Sequence, residues 1–94
     1  MPSEEKILTL HPAGKEGVNI LKRRYDYIRE FILQTIKEEG EISYKDLNDM
    51  AEKALSDSFD GSVAWYIVTV KLDLEARGVI ERVPKTSPHR LRLK

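Results

Sequence analysis

Between Ser62 and Ile80 the chain carries a helix that is apolar on two sides and runs through a glycine straight into a strand. Val63, Ile67, Val70 and Leu74 recur at 4-3-4 spacing, which places them along one face of an α-helix. Trp65, Val68 and Leu72 form a second stripe at 3-4 spacing. A helix apolar on two sides must be covered on two sides, so this one is expected to be central. Ser62 can serve as its N-cap, accepting a hydrogen bond from a first-turn amide that has no helical partner. Gly78 supplies the left-handed residue that ends it, and Arg77 just before carries a charge suited to the negative end of the helix dipole.

Ninety-four residues with 40% hydrophobic and 34% charged content suit one soluble globular domain, with residues 1–17 as an arm or short strand and loop and residues 18–94 as the domain proper. The chain has no cysteine, which removes disulfides, thiol chemistry and cysteine-held zinc from consideration. No apolar run reaches bilayer length and the N-terminus does not read as a secretory signal, so a cytoplasmic protein with no membrane partner is expected. Sixteen basic and sixteen acidic residues cancel, but unevenly along the chain. Residues 38–60 hold eight acids against Lys45 and Lys53, while residues 79–94 hold five bases against Glu81. Phosphate could face the second stretch and not the first.

Ile7, Leu8 and Leu10 read as a short strand or extended arm within residues 4–10, followed by a breaker-rich loop, His11–Gly17. Gly14-Lys15 is followed by Glu16 rather than Ser or Thr and lacks the earlier glycine, so it is not a phosphate loop. A long helix is expected from Val18 or Asn19 to Glu39, with Asn19 as N-cap and Gly40 as terminator. Its apolar face is Leu21, Tyr25, Ile28, Ile32 and Ile36, with Phe31 beside it. Lys22, Arg23 and Arg24 open it as a basic triplet, ordinarily a solvated first turn. Glu41–Ser43 is too short to stand alone and should pair with a later strand. Ser43 caps a second helix, Tyr44 to about Leu55, with Asp46 placed for an approximate capping box and Leu47, Met50, Ala51 and Leu55 as its buried face. Phe59 is expected to plug the core in the turn that follows. After Gly78, residues 79–83 and 89–94 flank a loop bracketed by Pro84 and Pro88, the pattern of a β-hairpin. Symmetric pairing about that loop sets Arg82 opposite Arg90, a like-charge pair that an anion would relieve.

The order helix, short strand, helix, turn, helix, hairpin resembles the winged helix-turn-helix family. Ile42-Ser-Tyr-Lys-Asp-Leu47 resembles the start of that family's second helix, and Leu74-Glu-Ala-Arg-Gly-Val-Ile-Glu-Arg-Val83 its passage from third helix into wing. The segment His11–Val18 is also similar to one in a group of small uncharacterised prokaryotic proteins. The resemblance implies an α+β fold of three helices and a C-terminal β-hairpin wing, with a short N-terminal strand or arm. It also implies a DNA-associated or regulatory protein whose third helix enters the major groove. Position by position, the outward residues of that helix would be Ser62, Trp65, Tyr66, Val68, Thr69, Leu72 and Asp73, with no Arg, Lys, Asn or Gln in the first three turns.

Two readings follow. In one, the chain binds double-stranded DNA mainly through phosphate, using Arg82, Lys85, Arg90, Arg92 and Lys94 of the hairpin, Thr86 and Ser87 at its tip, and Ser62, Tyr66 and Thr69 of the helix. The bland alternative for those bases is a solvated edge hairpin. In the other, the chain is a dimerisation or protein-docking module whose patch is Trp65, Val68 and Leu72, with Trp65 as anchor. The bland alternative there is that Trp65 lies under Ile7, Leu8 and Leu10. An enzyme is not expected: His11 and His89 show no metal-ligand or triad spacing, no carboxylate pair stands out, and no catalytic residue, metal or cofactor is indicated.

Overall fold

A computed structural model describes residues 5–94; Glu4, which the strand reading included, lies outside the described residues. The elements are β1 (Lys6–Leu8), β2 (Asn19–Leu21), α1 (Lys22–Glu39), β3 (Glu41–Ser43), α2 (Tyr44–Leu55), α3 (Val63–Ala76), β4 (Ile80–Arg82) and β5 (Arg90–Leu93). The fold is α+β, three helices with two small antiparallel sheets. One sheet pairs β1 with β2, and the other has the order β3-β5-β4.

Helix α3 packs against both α1 and α2 and feeds β4, which buries its 4-3-4 stripe; the second stripe is half-buried at Val68 and Leu72 and exposed at Trp65. Ser62 Oγ accepts the Trp65 N–H at 3.3 Å, and Gly78 takes φ +74 just past the C-cap Arg77. Val63, Ile67, Val70 and Leu74 are buried with Ile28, Ile32 and Ile36 of α1 and Leu47 and Ala51 of α2. Ser43 caps α2 by accepting the Asp46 N–H at 3.1 Å. Gly40, at φ +78, ends α1 as the sequence indicates. Met50 is not buried; it is 40% exposed, because Leu47, Ala51 and Leu55 already fill the inward face of α2. Phe59 is half-buried against Tyr27 and Tyr66, with ring centroids 5.8 and 5.0 Å away.

The first helix starts later than its periodicity suggests. Asn19 is not its N-cap; Asn19–Leu21 is a strand, and α1 begins at Lys22 with no side-chain cap. The arm therefore folds back as a hairpin, with Ile7 opposite Ile20 and Leu8 opposite Asn19. Thr9 closes it. The Thr9 N–H donates to the Val18 carbonyl at 2.9 Å, and the Val18 N–H donates to Thr9 Oγ1 at 3.0 Å. Gly17 faces that closure so tightly that a Cβ there would lie 1.7 Å from the Thr9 carbonyl oxygen, a backbone atom that cannot step aside.

The C-terminal hairpin is shifted by one residue from symmetric pairing. Arg82 lies opposite Leu91, not Arg90, and Glu81 lies opposite Arg92. The cause is Thr86, whose hydroxyl donates to the Val83 carbonyl at 2.8 Å and accepts the Arg90 N–H at 3.1 Å. The loop thus closes between Val83 and Arg90 and removes the like-charge pair that symmetric pairing creates. Leu91 is fully buried, whereas Leu93, near the strand end, is exposed.

Gly17→Ala should destabilise the chain by about 1–3 kcal/mol, the usual cost of overpacking. A urea titration should show a lower midpoint at an unchanged slope.

Candidate functional site

Helix α3 carries four charged residues in its last two turns at i, i+4 spacing, Lys71 with Glu75 and Asp73 with Arg77. Asp73 was read as outward-facing; it is fully buried. Its carboxylate accepts the Leu10 N–H at 2.8 Å, the Arg77 Nε–H at 2.9 Å and the Tyr25 hydroxyl. Arg77 also reaches the Leu8 carbonyl at 3.5 Å. One carboxylate thus joins the outer edge of β1 to α3 and to α1. Burial, and then the bond to Asp73, push the Tyr25 hydroxyl up to about 12.

Lys71 is 2% exposed and bonds Glu75 at 3.3 Å, with its ammonium 5.2 Å from the Tyr44 ring centroid. The other Glu75 oxygen accepts the Arg82 Nε–H at 2.8 Å. Burial lowers Lys71 from the ordinary lysine range, against the pull of Glu75. Lys71, Asp73 and Glu75 are held inside, where i, i+4 pairing makes their charge tolerable, while Arg77 reaches Asp73 from the exposed C-cap position.

The hairpin arginines follow the same pattern. Arg90 bonds Glu41 at 2.7 Å, Arg92 bonds Glu81 at 2.7 Å, and Arg82 bonds Glu75. Glu41 comes from β3, distant in sequence, whereas Glu75 of α3 and Glu81 of β4 lie seven and eleven residues from their arginines. The basic triplet is engaged too: Arg23 and Arg24 converge on Asp60, each at 3.1 Å, and Lys22 bonds Asp26 at 2.7 Å. Those two guanidiniums hold the Asp60 carboxyl below the usual range. Lys85 and Lys94 are exposed, and no carboxylate pairs with either among the described residues.

The helix residues proposed for nucleic acid diverge. Ser62 is committed to its cap. Tyr66 was read as outward; it is buried, and its hydroxyl oxygen accepts an Arg24 N–H at 3.0 Å. Thr69 is half-buried in a groove of about 170 Å³ with Trp65, Leu72, Leu10, Val18 and Gly17. That groove lies between the arm hairpin and α3. Trp65 is 44% exposed there, its ring set edge-on to Tyr66 at 4.8 Å. The arm flanks the tryptophan without covering it, because Ile7 turns to the core and Leu8 to solvent. Val68 is half-buried and outside the groove lining. The groove meets a larger cleft, about 560 Å³, through His11 and Leu72. Leu10, expected to help cover Trp65, lines the groove beside it instead, and Val18 joins it there without a sequence signal of its own. Among the described residues no cluster of three or more His, Asp or Glu could hold a metal ion, and no helix is long and apolar enough to cross a membrane.

Asp73→Ala should cost about 3–5 kcal/mol, since it leaves Arg77, Tyr25 and the Leu10 amide without their shared acceptor. Amide exchange at Leu10 should rise more than in α2. The raised Tyr25 value means stability from this hydroxyl is complete below the ordinary tyrosine range near 10 and is lost as pH rises toward about 12. Tyr25→Phe should therefore flatten the alkaline limb of a stability-against-pH curve.

No curated protein and no solved structure matches this sequence. A family model matches residues 6–91, which include the arm hairpin, all three helices and the C-terminal hairpin into its last strand, and the chain belongs to that family of unknown function, DUF6958.

Proposed function

We propose that this chain is a winged-helix module that pairs with a second copy of itself through the groove between the arm hairpin and α3. Support for the winged-helix reading is the order α1-β3-α2-α3-β4-β5 with β5 central in the sheet. The observation that carries the interaction reading is Trp65, a large aromatic left 44% exposed beside Leu10, Val18 and Leu72. Exposed aromatics flanked by aliphatic groups have the composition of an interface anchor. Among the described residues Glu16 is the only carboxylate lining the groove. A surface with so little charge can meet its own copy across a two-fold axis without like-charge repulsion.

Duplex binding is the second reading, favoured by the hairpin that the fold class uses as a wing and by Lys85 at its tip. It is weaker on this geometry. Arg82, Arg90 and Arg92 each share a glutamate, so phosphate would have to displace an existing partner. The Arg90 and Arg92 pairs lie at the surface and are worth about 1 kcal/mol or less each, so they can be displaced but gain less than bare cations would; Arg82 is held by the buried Glu75.

Sedimentation of the wild-type chain at about 100 µM, a concentration that populates micromolar dimers, should give a dimer. Trp65→Ala should weaken its dissociation constant by about 30-fold, the loss of a hot-spot side chain, with little change in unfolding midpoint. A monomeric wild type would sink the pairing. Fluorescence anisotropy against a random duplex at low and moderate salt should show no salt-sensitive binding. Binding that falls steeply with salt, and falls further in an Arg90→Ala, Arg92→Ala variant, would instead establish the phosphate reading.

A further inference from the structure

His89 stands one residue before β5, where the returning strand of the C-terminal hairpin meets the start of α2. Its carbonyl oxygen accepts the Tyr44 N–H at 3.2 Å. Its ring stacks on the Tyr44 ring, with centroids 5.7 Å apart and planes 7° from parallel. Imidazole Nε2 is enclosed and has no hydrogen-bond partner. A buried polar atom without a partner is uncommon and invites a physical account.

The surroundings supply one. The charged and titratable groups facing this corner are Tyr44 from α2, Lys71 and Glu75 from α3, and Arg82 from β4. Arg90, the neighbour on β5, is turned toward Glu41. Glu75 is the one carboxylate, and both of its oxygens are already taken, by Lys71 and Arg82. A neutral imidazole fits beside them. A charged one would be a third cation around a single acid, with a ring N–H that finds no acceptor. The compensating attraction of an imidazolium for the Tyr44 ring is contested, because the Lys71 ammonium already occupies that ring.

We propose that His89 is an acid-operated latch: uptake of a proton by its ring releases the loop end of the C-terminal hairpin, Val83–Arg90, from α2 and α3 while the helical core stays folded. The step is proton uptake alone and forms no covalent bond. It does not depend on how the arm–α3 groove is used. Burial first, then Lys71 and Arg82, push His89 below the ordinary histidine value of 6.5, and Glu75 only partly offsets them. The sign follows from linkage. The latched state holds the proton more weakly than the released state, so the latch contributes fully above 6.5 and is lost as pH falls through the lowered value.

Amide hydrogen exchange on the full chain, corrected for intrinsic rates, tests this at about pH 7.5 and about pH 5, either side of the histidine range. The Tyr44 amide, which donates to the His89 carbonyl across the latch, should lose about fivefold or more of its protection at the lower pH. The Ile32 amide in α1 should change by less than about twofold. His89→Gln, which cannot charge, should keep Tyr44 protection level. Uniform loss across the chain, no loss, or equal loss in the variant would each overturn the latch. The proton resonances of the His89 ring in the wild type provide a check that needs no variant: titration at or above 6.5 would also overturn it.

Discussion

One buried carboxylate ties the N-terminal half of the fold to the rest. Asp73 sits on the helix that packs against α1, α2 and β4, and its three donors come from β1's continuation, α1 and the C-cap of α3. An ionised group inside a protein is tolerated only when its lone pairs are met. Here the donors are a backbone amide, a tyrosine hydroxyl and a guanidinium, each from a different part of the chain. The arm hairpin is only three residues deep on each strand, too short to hold its place by strand pairing alone. Its attachment to α3 through Leu10 and Leu8 gives it a fixed seat. The groove that exposes Trp65 has its other wall in that same arm. The candidate interaction surface therefore rests on Asp73, although Asp73 does not line it.

Charges in this chain are paired both locally and across the fold. Arg90 meets Glu41, forty-nine residues away, and Arg24 meets Asp60, thirty-six away. A count along the sequence finds an acidic middle and a basic tail; Arg90–Glu41 joins the two, while Arg82 and Arg92 take acids close to them in sequence, Glu75 and Glu81. This changes the meaning of the basic hairpin. Its bases are three arginines in ion pairs and two exposed lysines, not a bare cationic strip. The pairs add little stability each, but they fix side-chain geometry and lower the potential that would steer phosphate.

Local rules read well from the sequence where the deciding physics was local. Ser43 and Ser62 cap their helices and Gly40 and Gly78 end theirs, because caps and left-handed residues act within a few positions. The 4-3-4 stripe on α3 is buried for the same reason. What periodicity missed was set by tertiary context. Asn19 can cap a helix, but the pairing of Ile20 with Ile7 claims it for a strand. Tyr66 and Asp73 fall on the outward arc of α3 only if that helix has one buried face. With α1 on one flank and the arm on the other, the Tyr66 and Asp73 positions of that arc are interior, while Trp65 on the same arc stays exposed. A signal for this was available in the sequence: Lys71 with Glu75 and Asp73 with Arg77 are four apart on a helix already apolar on two sides. Charges on the interior positions of such a helix have nowhere to be solvated, and i, i+4 complements are how they are accommodated.

The same reasoning separates the two corners of α3. At Asp73 one acid has three donors and every partner is satisfied, so that corner is a rigid tie. At Glu75 one acid serves two cations, and a histidine beside them has an enclosed nitrogen with no partner. A surplus of positive charge in a low-dielectric corner is stable only while the histidine stays neutral. The arm is thus held by a group whose bonds are complete, and the C-terminal hairpin by one whose balance depends on a proton. The two hairpins are fastened at acids two residues apart on the same helix, about half a turn, and differ in what can loosen them.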